Sequence, residues 1–357
     1  MLRIVTRVDR WLENDVRARC CRYTAPHSMT KLIIQIPCFN EEGTLGITLD
    51  ALPRSVPGVD CVEWRVIDDG SADGTVRVAQ EHGVDHIVSL PRNVGLARAF
   101  QAGIEACLAR NADLIVNTDA DNQYCADHIP SLVEPILAGR AEFVIGARPV
   151  QTIAHFSPVK KFLQRFGSWA VRVASGTDVP DAPSGFRAIS REAALQLNVF
   201  DPYTYTLETI IQAGRRGIPT ESVPIPTNEE LRPSRLVRSK RAYVGKSVLT
   251  ILRIFMVYRP FQFFAMLGSV PLSAGVLLGL RWLFYFGTAS DRTRLPSLIL
   301  VAILVLVGVQ LFMFGLVANL MSVNRRLLED VQVRLRRASA DARVQEFTAG
   351  GRRETGA

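Results

Sequence analysis

The chain has 357 residues, 48% of them hydrophobic, with a mean hydropathy of +0.14 and a formal net charge of +8. That length holds one large domain plus an appendage, and the hydropathy is high for a purely soluble protein, so part of the chain is expected to leave water. The positive charge comes without a helix-turn-helix, zinc-finger or base-stacking pattern; anionic lipid headgroups suit it better, and no nucleic-acid partner is expected.

In chain order, residues 1–30 form a basic extension in which Ile4, Val8, Trp11 and Leu12 recur at helical spacing. That spacing suits a short amphipathic helix lying on a membrane or on the main domain. Arg and Asp break its apolar positions throughout, so it does not read as a signal peptide. Met29, directly before the first strand, is an alternative translation start. From 31 to about 227 strand and helix alternate. The runs KLIIQIP, EWRVIDD, DHIVSLP, DLIVNTD and EFVIGAR are short, β-branched and bounded by turn residues, which suits strands buried on both faces. Between them EEGTLGITLDAL, GTVRVAQEHG, NVGLARAFQAGIEACLAR and DHIPSLVEPILAG read as helices. The fold class is therefore α/β, an open sheet whose ligands bind beyond the carboxyl ends of the strands. Unusual polar groups gather at those ends: Asn40 and Glu41, Asp68 and Asp69, Asn93, Asp119 and Asp121, and Arg148.

Asp119 and Asp121 are two positions apart at the end of a strand, so both side chains point to one side and repel unless a cation sits between them. A divalent metal site and a plain polar turn both satisfy that pattern. DGSADGTVRVAQ, from Asp69, begins like a calcium loop but offers Gln80 where a bidentate Glu belongs and follows a strand. No G-x-G-x-x-G follows the first strand and no G-x-x-x-x-G-K-[ST] occurs, so neither a dinucleotide fold nor a P-loop is supported. Cys20, Cys21, Cys38, Cys61, Cys107 and Cys125 form no C-x-x-C and read as reduced, mostly buried thiols.

The segments 263–286 and 295–321 are each long and apolar enough to cross the ~30 Å hydrocarbon core, which needs about 20 helical residues. Between Leu231 and Pro260 stand eight Lys or Arg residues and no Asp or Glu, and the tail is also basic; the connection carries only Arg292 and Arg294, offset by Asp291. Positive residues are retained on the cytoplasmic side, so a hairpin with its turn outside is expected, with the α/β domain and both termini in the cytoplasm. The expected division is an extension (1–30), the α/β domain (31–227), a basic juxtamembrane segment (228–260), the hairpin (261–321) and a charged tail (322–357).

IPCFNEEGTL, VIDDGSADGT, RNVGLARAFQAG, NTDADNQY, VIGAR and DAPSGFRAISRE stand in the order and spacing of family 2 glycosyltransferases with the GT-A fold. Over about residues 31 to 321 the chain resembles the dolichol-phosphate mannose synthase and bactoprenol-glucosyltransferase group. The resemblance implies a Rossmann-like GT-A domain followed by a transmembrane hairpin. It also implies metal-dependent, inverting transfer of one sugar from a UDP- or GDP-linked donor to polyprenyl phosphate at the cytoplasmic membrane face. Self-association is left open. By the same resemblance Pro37, Phe39, Asn40, Glu41, Asp68, Asp69 and Asp119 bind the nucleotide sugar, and Asp119, Asp121 and Gln123 hold Mg²⁺ or Mn²⁺ against the donor diphosphate. Arg148, Lys160, Lys161, Arg232 and Arg235 take the acceptor phosphate. Asp121 and Asp181 are the catalytic candidates, Asp181 as an orienting group or weak base, or in a structural role near Arg187. Glu208 braces the site through a basic neighbour, or is a plain surface helix residue.

Phe39 stands where many relatives have Tyr, and LRPSRL departs from the usual Arg-x-Gly-x-Ser-Lys-Leu at Pro233 and Arg235. Two rival readings are weaker. A processive polysaccharide synthase would carry Q-x-x-R-W, which is absent, and a catalytically silent nucleotide-sugar-binding scaffold has no need to keep Asp119, Asp121 and Gln123.

Overall fold

The structure, a computed structural model, describes residues 29–149, 171–173, 175–199, 205–228, 249, 252–253, 255–287 and 295–354, the side chains of 326 and 339–354 apart. Residues 1–28 of the amino extension, Lys160, Lys161, Arg232, Arg235 and most of the juxtamembrane segment lie outside the described residues. The chain divides into two compact units, Met1–Arg238 with Val333–Ala357, and Ser239–Gln332.

The first unit is built on a seven-stranded sheet. In chain order it contains β1 (Lys31–Cys38), α1 (Glu42–Ala51), β2 (Cys61–Asp68), α2 (Thr75–Glu81), β3 (His86–Ser89), α3 (Leu96–Ala109), β4 (Leu114–Asn117), α4 (Ile129–Leu137), β5 (Phe143–Ala147), β6 (Arg187–Ser190), α5 (Arg191–Gln196), α6 (Tyr205–Arg216) and β7 (Thr220–Pro224). The spatial order is β3-β2-β1-β4-β6-β5-β7. β6 runs antiparallel to both β4 and β5, and the other pairings are parallel. The five expected strands are present. β6 and β7 were not expected: β6 opens on an arginine and β7 reads TESVP, so neither offers an apolar run.

β1 is buried from Leu32 to Cys38, as its unbroken apolar run requires of a strand covered on both faces. One face packs α1 and α4 through Leu45, Leu49, Leu132 and Val133. On the other, α3 approaches closely at Gly103, where a Cβ would collide with the side chains of Gln35 and Ile67. Gln35 is the polar centre of this core. It lies opposite Asn117 across the β1–β4 pair and donates to its carboxamide oxygen at 2.9 Å, so two buried amides satisfy one another. Because β2 and β4 flank β1 on opposite sides, the sheet's switch point lies beyond the carboxyl end of β1, where an open α/β sheet forms its crevice.

A helix, α8 (Leu295–Glu354), continues well past the expected span, and its turn from Val333 belongs to the first unit. There Arg336 donates to the Leu197 carbonyl at 2.9 Å and to Glu105 at 2.8 Å, Arg337 pairs with Glu192, and Val333 is buried.

In the second unit α7 (Pro260–Gly287) packs against the first part of α8. Glycines make the approach close: a Cβ on Gly308 would lie 2.7 Å from the Leu272 side chain, and one on Gly268 3.0 Å from the Gly308 carbonyl oxygen. Both helices contain a stretch long and apolar enough to cross a membrane and are candidate spans. Their large apolar side chains face outward, Leu277 at 66% exposure, Phe284 at 68% and Leu306 at 61%, which the buried helices of a soluble core would not show.

Candidate active site

Three loops at the carboxyl ends of β1, β2 and β3 are locked together. Asn40 takes the left-handed conformation, φ 54°, and its amide donates to Ser71 Oγ while its side-chain oxygen accepts from the Ala72 amide, both at 2.9 Å. The Glu41 amide donates to Thr75 Oγ1, and the Glu41 carboxylate accepts from Thr44 Oγ1 at 2.8 Å. Asp68 accepts from the Ser71 amide at 3.0 Å. Asp69 is buried, and its two oxygens accept from the Val94 and Gly95 amides at 2.8 and 2.9 Å, holding the two residues that lead into α3. Burial raises its pKa, against those two bonds, and Asp68 adds to the rise. Asn40 and Asp69 therefore shape the crevice wall by holding backbone. Phe39 is 40% exposed, an aromatic surface at the crevice edge, whereas Pro37 is buried inside β1 opposite Ile67.

The turn after β4 carries the carboxylate pair. Asn122 has φ 55°, and Asn228 donates to its carbonyl oxygen at 2.9 Å while the Asn228 amide donates to the Gln123 carbonyl at 3.0 Å. Asp121 accepts from the Gln123 amide at 3.2 Å. Asp119 is pushed up to about 7, first by burial and then by the like charge of Asp121, with Arg148 and Arg187 opposing.

The backbone of Gly185 presses on Asp119 from behind. A Cβ there would lie 2.9 and 3.0 Å from the Asp119 carboxylate oxygens and 2.8 Å from Tyr205 Oη. The peptide is pinned on both sides: the Gly185 amide donates to Tyr124 Oη at 2.9 Å, and Asn117 donates to the Gly185 carbonyl at 2.8 Å and to Tyr205 Oη at 3.1 Å. Arg187, fully buried, donates to the Ala182 and Ser184 carbonyls at 3.0 and 2.8 Å and to Thr209 Oγ1. Burial pushes it down to about 10. Asp181 does not engage this arginine directly among its described hydrogen bonds. It holds Arg148, accepting at Oδ2 from Nε at 2.7 Å and from the Arg148 amide at 3.2 Å, and at Oδ1 from Nη2 at 3.2 Å.

The profile of Glycosyl transferase family 2 matches residues 33–197, which hold this whole arrangement but for Asn228, Tyr205 and Thr209. An uncharacterised protein of Methanocaldococcus jannaschii is 32% identical over 205 residues, spanning 55% of this chain and 81% of the relative. The chain belongs to glycosyl transferase family 2. The undecaprenyl-phosphate mannosyltransferase of Micrococcus luteus is 29% identical over 62% of this chain and 93% of its own. The polyprenol monophosphomannose synthase of Mycolicibacterium smegmatis is 27% identical over 58% and 81%. Among solved structures, glucosyl-3-phosphoglycerate synthase of Mycobacterium tuberculosis with phosphoglyceric acid superposes with a TM-score of 0.51 at 25% identity, over 63% of this chain and 79% of that one. The sheet is that of the GT-A glycosyltransferases.

In this glycosyltransferase Asn40 and Glu41 follow β1, Asp68 closes β2 with Asp69 directly after it, Asn93 follows β3, Asp119 and Asp121 follow β4, with Gln123 in the same turn, and Arg148 follows β5. Glu208 is buried on α6 beside Gln212, so the plain surface reading fails. Gln35, Asn117, Tyr124, Gly185, Arg187, Tyr205 and Asn228 were not singled out as a supporting shell. The one visible signal was the small residue before a large aromatic in PSGFR. A cation fits the Asp119 pair: a carboxylate raised to about 7 by burial and then by a second carboxylate is an arrangement that a cation relieves. Among the described residues no group of three or more His, Cys, Asp or Glu side chains could hold a metal by itself, so substrate oxygens would complete the shell, as suits Mg²⁺ or Mn²⁺.

Proposed function

We propose that this glycosyltransferase moves one sugar from a UDP- or GDP-linked donor to polyprenyl phosphate, with inversion, at the cytoplasmic membrane face. The observation that carries the reading is the meeting of the Asp119–Asp121 pair with Arg148, whose guanidinium and the Asp119 carboxylate influence each other's charge, in a chain with two candidate membrane spans. The relatives from Micrococcus luteus and Mycolicibacterium smegmatis, whose names carry polyprenyl-phosphate transfer, support the acceptor.

Asp119 and Asp121, with Gln123, would hold Mg²⁺ or Mn²⁺. A bound cation stabilises negative charge on the departing nucleoside diphosphate. The walls built by Asn40, Glu41, Asp68, Asp69 and Phe39 receive the nucleotide. Arg148 takes the acceptor phosphate, with Lys160, Lys161, Arg232 and Arg235 as further phosphate ligands. A phosphate monoester has its second pKa near ~6, so the nucleophilic oxygen is already ionised at neutral pH and alignment outweighs base catalysis.

Purified protein in detergent, given polyprenyl phosphate and a panel of nucleotide sugars, is expected to form a chloroform-soluble sugar lipid. Nucleoside diphosphate release that ignores the lipid would overturn the reading. In the same assay Arg232→Gln or Arg235→Gln should raise the apparent KM for the lipid roughly ten- to a hundredfold, the worth of a charge-assisted contact at ~1.5 to 3 kcal/mol. An unchanged KM would remove these two from the acceptor site.

Proton and cation compete for Asp119. Mn²⁺ affinity in the presence of UDP is therefore expected to fall by about tenfold per unit as pH drops below about 7. Calorimetric titration between pH 6 and 8 checks this, and a flat profile contradicts it. For topology, a cysteine placed at Ser290 should be labelled from outside intact cells; labelling only after lysis would put the hairpin turn on the cytoplasmic side.

A further inference from the structure

We propose that Asp181 is a positioning residue that acts through Arg148, setting the guanidinium for the acceptor phosphate, and is not the base of the reaction. The inference rests on the reading above that Arg148 receives that phosphate.

Three observations carry it. Asp181 is 1% exposed and grips Arg148 at three points, two on the guanidinium and one on the backbone amide. A carboxylate that spends both oxygens on Arg148 and is 1% exposed has little open face from which to reach a substrate. The grip is also directional. Asp181 engages the Nε and Nη2 edge and leaves Nη1 outside its hold, on a side chain that keeps 14% of its surface exposed. A planar guanidinium fixed along one edge has its other edge fixed too, which is the geometry that two-point phosphate binding uses.

The third observation is the rigidity of the support. The Asp181 carbonyl accepts from the Ser184 amide at 3.2 Å. Buried Arg187 clamps the next carbonyls of the same turn, those of Ala182 and Ser184. Tyr124, itself bonded to the Gly185 amide, places its ring 5.8 Å from the Arg148 guanidinium carbon. The turn from 181 to 185 thus touches Arg148 through Asp181 and backs Asp119 through Gly185, and one rigid element aligns the acceptor-side cation and the donor-side carboxylate.

The test is a double-mutant cycle on steady-state transfer, using the full chain with polyprenyl phosphate and its nucleotide-sugar donor. Asp181→Asn is expected to raise the apparent KM for polyprenyl phosphate about tenfold or more. Its kcat, donor KM and the acid limb of its pH profile should stay close to wild type. Against an Arg148→Gln background the same change should add almost nothing, because the residue through which it acts is gone. Asp181→Glu, which keeps the charge but displaces it by one methylene, should fall between the two and guards against a folding defect in the neutral variant. Loss of kcat together with loss of the acid limb, with or without Arg148, would make Asp181 the base and overturn the proposal. Equal losses in donor and acceptor parameters that track a lowered Tm would also overturn it, leaving a structural role. A wild-type protein that transfers sugar to no polyprenyl phosphate would sink the acceptor reading, and this inference with it, at the first step of the cycle.

Discussion

Asp119→Asn is expected to leave the sheet folded and to cut sugar transfer by roughly 10²- to 10⁴-fold, the several kcal/mol that a cation supplies to a charged transition state. The substitution keeps the shape and removes the charge, so the Gly185 backbone can still pack against the side chain. Stability should move the other way. The folded-state pKa of Asp119, about 7, lies above the ordinary value of 3.8, so the folded state holds a proton that the unfolded chain has released. That contribution is full below about pH 3.8 and is lost as pH rises through about 7. In the absence of metal at pH 8 the wild type therefore bears an uncompensated carboxylate pair, and Asp119→Asn should melt at a higher temperature. Adding Mn²⁺ and UDP should raise the wild-type Tm and leave the variant nearly unmoved. Differential scanning fluorimetry in chelator and in Mn²⁺, beside the transfer assay, reads both halves; wild-type turnover by the variant would remove the metal role.

Gly185→Ala carries the second large effect. The added methyl would stand inside 3.0 Å of the Asp119 carboxylate and of Tyr205 Oη, and it cannot move away, because the peptide is pinned by Tyr124 and Asn117. Overpacking of this kind costs about 1 to 3 kcal/mol. The carboxylate is the group that can yield, and misplacing a reacting centre by about 1 Å costs roughly 10²-fold in rate. The expected result is a folded protein with a Tm lowered by a few degrees, transfer down about a hundredfold, and weaker Mn²⁺ binding. Gly214→Ala offers a comparison: its Cβ would collide with the Ser175 backbone, so it should lower Tm without a selective loss of Mn²⁺ binding. Normal Mn²⁺ affinity in Gly185→Ala would show that the Gly185 backbone does not hold Asp119.

The amino-acid sequence by itself determined the five principal strands, the carboxylate pair and the two apolar helices. Each of these is a local property. A β-branched run such as LIIQI records burial on both faces, Asp119 and Asp121 record their place just past a strand, and an apolar stretch records its own length. Tertiary structure alone decided which groups meet. β6 inserts antiparallel between β4 and β5, and its side chains answer to strands far away in the chain, so Arg187 occupies a strand whose own four residues carry no recognisable pattern. Asn117 bonds Gly185 across 68 residues. The partner of Asp181 is the plainest case: Arg187 is six residues on in the same motif, yet the carboxylate binds Arg148, 33 residues earlier, because β5 ends where the 181–185 turn returns to the sheet. Hydrophobic patterning specifies how far each element is buried, but partner choice depends on strand order and register, which arise only when distant segments pair.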